Sequence, residues 1–212
     1  MVHRFVVGIA LTLALAAPLA GCKIVPISED GAQEEAGFDA AGYARAIWSE
    51  RGFAYFGDTA QPVTEVLPAI RADLSVAGPQ YGSRAGEGSP WSFVVTGTGT
   101  VVEKNTESRA GTMVVELDDA TGSLQAMLQI GPVIRGNAVR DALPFVSFKD
   151  FINQLEFADA GKALTALALE GVSGSIEELK VGDQIAFTGA MSIASTSDRM
   201  LITPVVLEKT GP

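Results

Sequence analysis

The spacing of apolar residues along this 212-residue chain changes several times, and each change marks a different kind of element. An uncharged apolar run covers Phe5 to Ala16, and residues 23–37 then show no apolar period and several acidic side chains. Phe38-Asp39 announces a helix, with Asp39 as N-cap and Phe38 with Tyr43 as a hydrophobic staple. Tyr43, Ile47 and Trp48 follow at helical spacing, and the helix is expected to end before Gly52. Val63, Val66, Leu67, Ile70 and Leu74 predict a second helix, which Pro68 must begin or kink. Residues 78–90 are dense in glycine, serine and proline and read as a loop.

Beyond Pro90 the period shortens. Trp91 to Val102 is β-branched and aromatic, and Gly97 and Gly99 inside it predict a long, sharply bent strand. Thr112 to Leu117 is a second strand, and Asp118-Asp119-Ala120-Thr121-Gly122 supplies a turn. Leu124, Ala126, Leu128 and Ile130 alternate along a third. Phe148, Phe151, Ile152, Leu155 and Ala158, continuing through Leu164 and Leu167, predict a long helix over about 148–169. A turn at Val181-Gly182-Asp183 feeds a strand over Gln184–Gly189, Asp198-Arg199 occupies a hairpin tip, and a last strand runs from Met200 to Leu207. Three strands, a helix and two strands is the order of a five-stranded Greek-key barrel of the OB type, whose bent first strand serves both sheets. The expected class is α+β, mainly β: an OB-like barrel over 90–212, preceded by a small helical segment over 38–82. Another α+β meander with the same element order is the alternative.

The first apolar run has a separate meaning. Met1-Val2-His3-Arg4 gives a positive start, and the dozen apolar residues after it fall short of the roughly 20 that cross a bilayer. Leu19-Ala20-Gly21-Cys22 looks like a bacterial lipobox. Residues 1–21 thus read as a lipoprotein signal peptide, Cys22 as the lipidated residue, and 22–37 as an acidic tether of at most about 50 Å at full extension. An ordinary signal peptide with an incidental cysteine is the competing reading. Lys23 stands where an aspartate commonly retains lipoproteins at the inner membrane, so the outer membrane is favoured.

Cleavage there changes the available chemistry. It removes His3, the only histidine, and commits Cys22, the only cysteine, to lipid. Nucleophile–histidine triads and zinc sites built on imidazole or thiolate are then excluded, and no metal or cofactor is expected. After residue 21 the chain has 14 basic and 25 acidic residues, a balance of −11 that repels phosphate backbones. Nucleic acid is not an expected partner, and the lipid is the expected route to the membrane.

The passage Gln129-Ile130-Gly131-Pro132-Val133-Ile134-Arg135-Gly136-Asn137-Ala138-Val139-Arg140-Asp141 leaves a buried strand and brings two arginines and an aspartate within seven positions. Arginine forks bind carboxylates, phosphates and hydroxyl pairs. Gln129, Arg135, Arg140, Asp141 and, from the next element, Asn153 are therefore the candidate ligand or partner site. The same residues equally suit a partly buried ion pair that ties a loop to the barrel. Trp48 and Trp91 offer faces to a sugar ring or packing to a core, and Asp118-Asp119 and the Glu34-Glu35 and Glu177-Glu178 pairs read as turn or solvated surface. A carboxylate hydrolase would need Asp141 set near Glu156 or Asp159 in an open cleft.

Several of these segments carry a resemblance. The lipobox with Cys22-Lys23-Ile24-Val25, together with Phe38-Asp39, Ile47-Trp48, Tyr81-Gly82, Gly97-Thr98-Gly99 and the stretch from Gln129 to Gln154, resembles the predicted periplasmic lipoproteins of domain-of-unknown-function family 2291. The resemblance covers nearly the whole chain after the leader. It implies a genetic setting beside sugar-importing ABC transporter components and assigns no catalytic residue. The resulting expectation is a non-enzymatic, lipid-anchored accessory or binding protein of the periplasm. An envelope scaffold that contacts other proteins is the second expectation.

Overall fold

Strand alternation and two helical layers shape the molecule from Phe38 onward, where the chain forms one compact unit. The computed structural model describes residues 37–119, 122 and 124–211; the expected leader and the tether up to residue 36 lie outside the described residues. Helices α1 (Ala40–Ile47), α2 (Phe53–Thr59), α3 (Val63–Ala72) and α4 (Leu74–Tyr81) come first, with two-residue strands β1 (Gln61–Pro62) and β2 (Gly82–Ser83) between and after them. The long strand β3 (Trp91–Asn105) is followed by β4 (Thr112–Leu117) and β5 (Gln125–Gln129). A short helix α5 (Ala138–Asp141), the long helix α6 (Gln154–Glu178), β6 (Gln184–Ile193) and β7 (Leu201–Lys209) complete the chain.

The strands close a ring in the order β3-β4-β5-β7-β6, because β3 pairs with both β4 and β6. All of these pairings are antiparallel except β5 with β7. This is the expected OB-like Greek-key barrel. β3 passes from β6 to β4 at Gly99 and Thr100, which pair with both, and its register to β4 shifts just beyond, between Val101 and Glu103. Gly99 is required there, since a Cβ would sit 2.1 Å from the Glu116 carbonyl oxygen across the sheet.

Two apolar layers share this barrel. Inside lie Phe93, Val95, Met113, Val115, Leu128, Phe187 and Ile202, and Val66, Leu67 and Ile70 of α3 join the same core. Outside, Val94, Ala190 and Val205 face Ala44, Phe56, Val139, Leu164 and Ala168 from the helices. The residues before position 90 are therefore integral to both layers.

Local chemistry moves several boundaries away from expectation. The first helix does not stop before Gly52. A π turn over Trp48–Gly52 keeps the backbone helical into α2, with the Phe53 N–H donating to the Trp48 carbonyl. The expected loop over 78–90 begins later, because α4 runs to Tyr81 through Gly78 and Pro79. Gly78 is a packing residue: the Trp91 ring lies where its Cβ would project. The long helix spans Gln154–Glu178 rather than 148–169. Ser147 and Asp150 close a capping box around a separate 3₁₀ turn, Phe151 is extended, and the Asn153 side chain accepts from the N–H groups of Leu155 and Glu156 to start the helix. Its far end is held by Lys104 of β3, whose Nζ donates to the carbonyls of Ile176 and Leu179 at 2.5 and 2.8 Å. A cation at a helix C-terminus also suits the axial dipole.

Candidate functional site

The passage between β5 and α6 is built on satisfied polar groups. Gln129 is buried, and its amide donates to the Arg135 carbonyl and to Thr203 Oγ1 while its Oε1 accepts from the Arg135 N–H at 2.9 Å. Arg140 is 8% exposed. Its Nε and Nη2 both donate to Asp141 Oδ1, at 2.8 and 2.6 Å, and its Nη1 donates to the Phe157 carbonyl at 3.1 Å. The guanidinium carbon lies 3.7 Å from the centroid of the Phe157 ring. Asn153 caps α6, and the Arg135 side chain is exposed. Arg140 and Asp141 thus meet, whereas Gln129 reaches the backbone of Arg135 and Asn153 belongs to the next helix. Each carboxylate that an acid pair would need is engaged elsewhere: Asp141 holds Arg140, Glu156 accepts from the Ile152 N–H, and Asp159 pairs with Lys162.

Two larger hollows lie elsewhere, and none of the five candidate residues lines either of them. One, of about 620 Å³, is an apolar groove between Pro132–Ile134 and the α6 residues Thr165, Ala166 and Leu169. The other, of about 530 Å³, lies on the outer face of β3, β4 and β5 beneath the loop joining β6 to β7. Its floor is Val102, Val114 and Met127. Val114 and Met127 are register partners on the outward side of a β4–β5 pair, while their neighbours Met113, Val115, Ala126 and Leu128 point into the core. Val102 sits in the β3 register shift, an irregularity that re-aims a side chain.

Charged residues of both signs rim this floor: Arg71 and Arg199, and opposite in sign Glu103 and Asp198. The overhanging loop is ordered by Asp198, whose Oδ2 accepts from the N–H groups of Ala194 and Ser195. Arg199 reaches across to Met127, with Nη2 at 3.3 Å from the sulfur. An apolar floor with a few convergent polar groups is the ordinary composition of a small-ligand site. The sequence carries a signal for it: Val102, Val114 and Met127 are large apolar residues at positions that strand alternation assigns to solvent.

The comparisons with known proteins agree with the architecture. The model of a family described as predicted periplasmic lipoprotein (DUF2291) matches residues 12–208. The chain belongs to that family. A crystal structure of an OB-fold protein from Thermotoga maritima superposes with a TM-score of 0.68 at 18% identity, covering 82% of this chain and 99% of that one. At that identity the likeness shows the fold alone. No curated protein matches the chain. As a member of DUF2291 the protein carries the family's description of a periplasmic lipoprotein.

Proposed function

We propose that this DUF2291 member is a non-enzymatic binding component of the periplasm, anchored through lipid on Cys22, that holds a small polyhydroxylated ligand in the groove on the barrel face. The observation that carries the reading is the apolar floor Val102–Val114–Met127 under a rim of both charge signs. Such a surface suits the alternating C–H and O–H faces of a sugar: the floor takes the former, and Arg71, Arg199, Glu103 and Asp198 can donate to and accept from the latter. The choice of a sugar follows the transporter setting that the family resemblance implies, and accessory service to a sugar importer is the corresponding role. Lys23 after the lipidated residue favours the outer membrane.

A thermal-shift panel of pentoses, hexoses and sugar phosphates tests this. A ligand at 100 times its Kd adds about 2.7 kcal/mol to native stability and moves the midpoint by several degrees. The expected hit raises the midpoint of the parent and leaves Arg199→Ala and Glu103→Ala unmoved. The second apolar groove, between Pro132–Ile134 and α6, favours the scaffold reading, in which a partner's polypeptide segment is held instead. A silent sugar panel with a pull-down partner that Leu169→Asp abolishes would select it.

A further inference from the structure

Three large apolar side chains are exposed in the turn before α6 and in its first residues, the tip of that helix. Phe148, Ile152 and Leu155 are 51%, 91% and 76% exposed, and they lie within eight positions of one another. Isolated exposed apolar residues are ordinary, but three large ones within eight positions make a candidate contact surface. This tip is also rigidly supported. The rings of Phe148 and Phe151 pack on Phe157 at 5.6 and 5.3 Å, and the Arg140 guanidinium stacks on the same ring. Caps at Ser147 and Asn153 fix the backbone on both sides. The nearby carboxylates are turned to the tip's own N–H groups: Asp150 accepts from Ser147 and Glu156 accepts from Ile152.

Phe38 packs edge-on against Phe151, with ring centroids 5.4 Å apart. Only residues 23–37 separate Phe38 from Cys22, a reach of at most about 50 Å. The chain that leads back to Cys22 therefore leaves the domain at Phe38, beside Phe151 and the apolar tip. We infer that Phe148, Ile152 and Leu155 rest in the headgroup–acyl boundary of the bilayer that holds the protein's own anchor. The inference rests on the reading of Cys22 as the lipidated residue.

The tether makes this contact an intramolecular event, so a weak insertion is enough to keep the domain seated. The acidic chain repels anionic headgroups, and the matching surface is a zwitterionic leaflet entered by apolar side chains. Docking by the tip also orients the rest of the molecule. Helix α6 has 25 residues and is about 37 Å long; its first turn adjoins the tip, and its last turn is held by Lys104, the chain neighbour of groove residue Glu103.

The full lipidated chain in phosphatidylethanolamine–phosphatidylcholine vesicles supplies the test. With Cys22 consumed by lipid, an Ile152→Cys variant offers a single thiol for an environment-sensitive dye, and Val181→Cys places the same dye beyond the opposite end of α6. Seating predicts a blue shift at position 152, with loss of intensity to lipids carrying a shallow spin-label quencher, and neither effect at position 181. Adding Leu155→Asp, at an exposed position that leaves the fold intact, should abolish both effects without moving the melting temperature. A chain that floats with vesicles but emits alike from the two positions overturns the seating and leaves the anchor standing. A chain that does not float, or takes the dye at Cys22, overturns the anchor and the seating with it.

Discussion

Arg140 engages Phe157 twice: Nη1 donates to the Phe157 carbonyl at 3.1 Å while the guanidinium lies 3.7 Å from the centroid of the same residue's ring. Asp141 completes the arrangement by accepting from the two remaining edges of the fork. One buried cation thus joins α5 to the start of α6 and supports the rings under the exposed tip. Arg140→Ala should cost about 1–3 kcal/mol in denaturant unfolding, through lost packing and hydrogen bonds to a charged group. Arg140→Lys should recover little of this, because an ammonium has neither the planar fork nor the stacking face. Full recovery by lysine would show that charge alone matters there.

Lys104 ties the opposite end of α6 to β3 through two carbonyls that the helix leaves unpaired. Lys104→Met keeps the length of the side chain and removes the donors. It should lower stability by about 1–2 kcal/mol and speed amide exchange in the last turn of α6 before that in β6 or β7. Uniform exchange across the three elements would contradict a local role.

The barrel was legible because alternation and turn chemistry agree along β4, β5 and β7, and because Gly97 and Gly99 mark the bend in β3. The boundaries that differ share a physical cause, which is tertiary packing overriding a local breaker. Gly52 reads as a helix end and Gly78 as the start of a loop, yet both lie buried in helical segments, Gly78 under the Trp91 ring. Phe148, Ile152 and Leu155 have helical spacing, but the caps at Ser147 and Asn153 break that spacing and leave these residues exposed on the surface. At the candidate site, the density of polar residues in 129–141 was visible, but its internal satisfaction was not. The groove residues Arg71, Val102, Val114, Met127 and Arg199 are far apart in sequence, and closure of the barrel gathers them.

Asp183 gives the stability curve an acid limb. Hydrogen bonds from Lys209 and from the Lys180 N–H hold its carboxyl below the ordinary carboxylate range. A depressed native pKa adds stability that is present above the unfolded pKa and is lost as the pH falls through the native one. The melting temperature of the parent should therefore drop as the pH falls below about 4, and Asp183→Asn should show a shallower drop from a lower value at neutral pH. Parallel curves for the two proteins would remove Asp183 from the account.

Gly99 lies where β3 crosses from one sheet to the other, and its missing Cβ leaves room for the Glu116 carbonyl. Gly99→Ala must push backbone against backbone, which a side-chain rotation cannot relieve. A loss of about 1–3 kcal/mol is expected, with exchange protection falling first across the β3–β4 pair. A neutral effect would mean that the two strands can separate without cost to the barrel.

Methionine methyl groups report on the central claim, because Met127 and Met200 line the groove whereas Met113 and Met191 are fully buried in the barrel core. The most direct measurement is methyl NMR of the methionine-labelled chain, titrated with the sugar panel. Binding in the groove predicts saturable shifts of the Met127 and Met200 methyls, with Met113 and Met191 unmoved, and loss of those shifts in Arg199→Ala. A sugar that raises the melting temperature yet leaves Met127 and Met200 in place, or a panel in which no member moves them, would contradict the account.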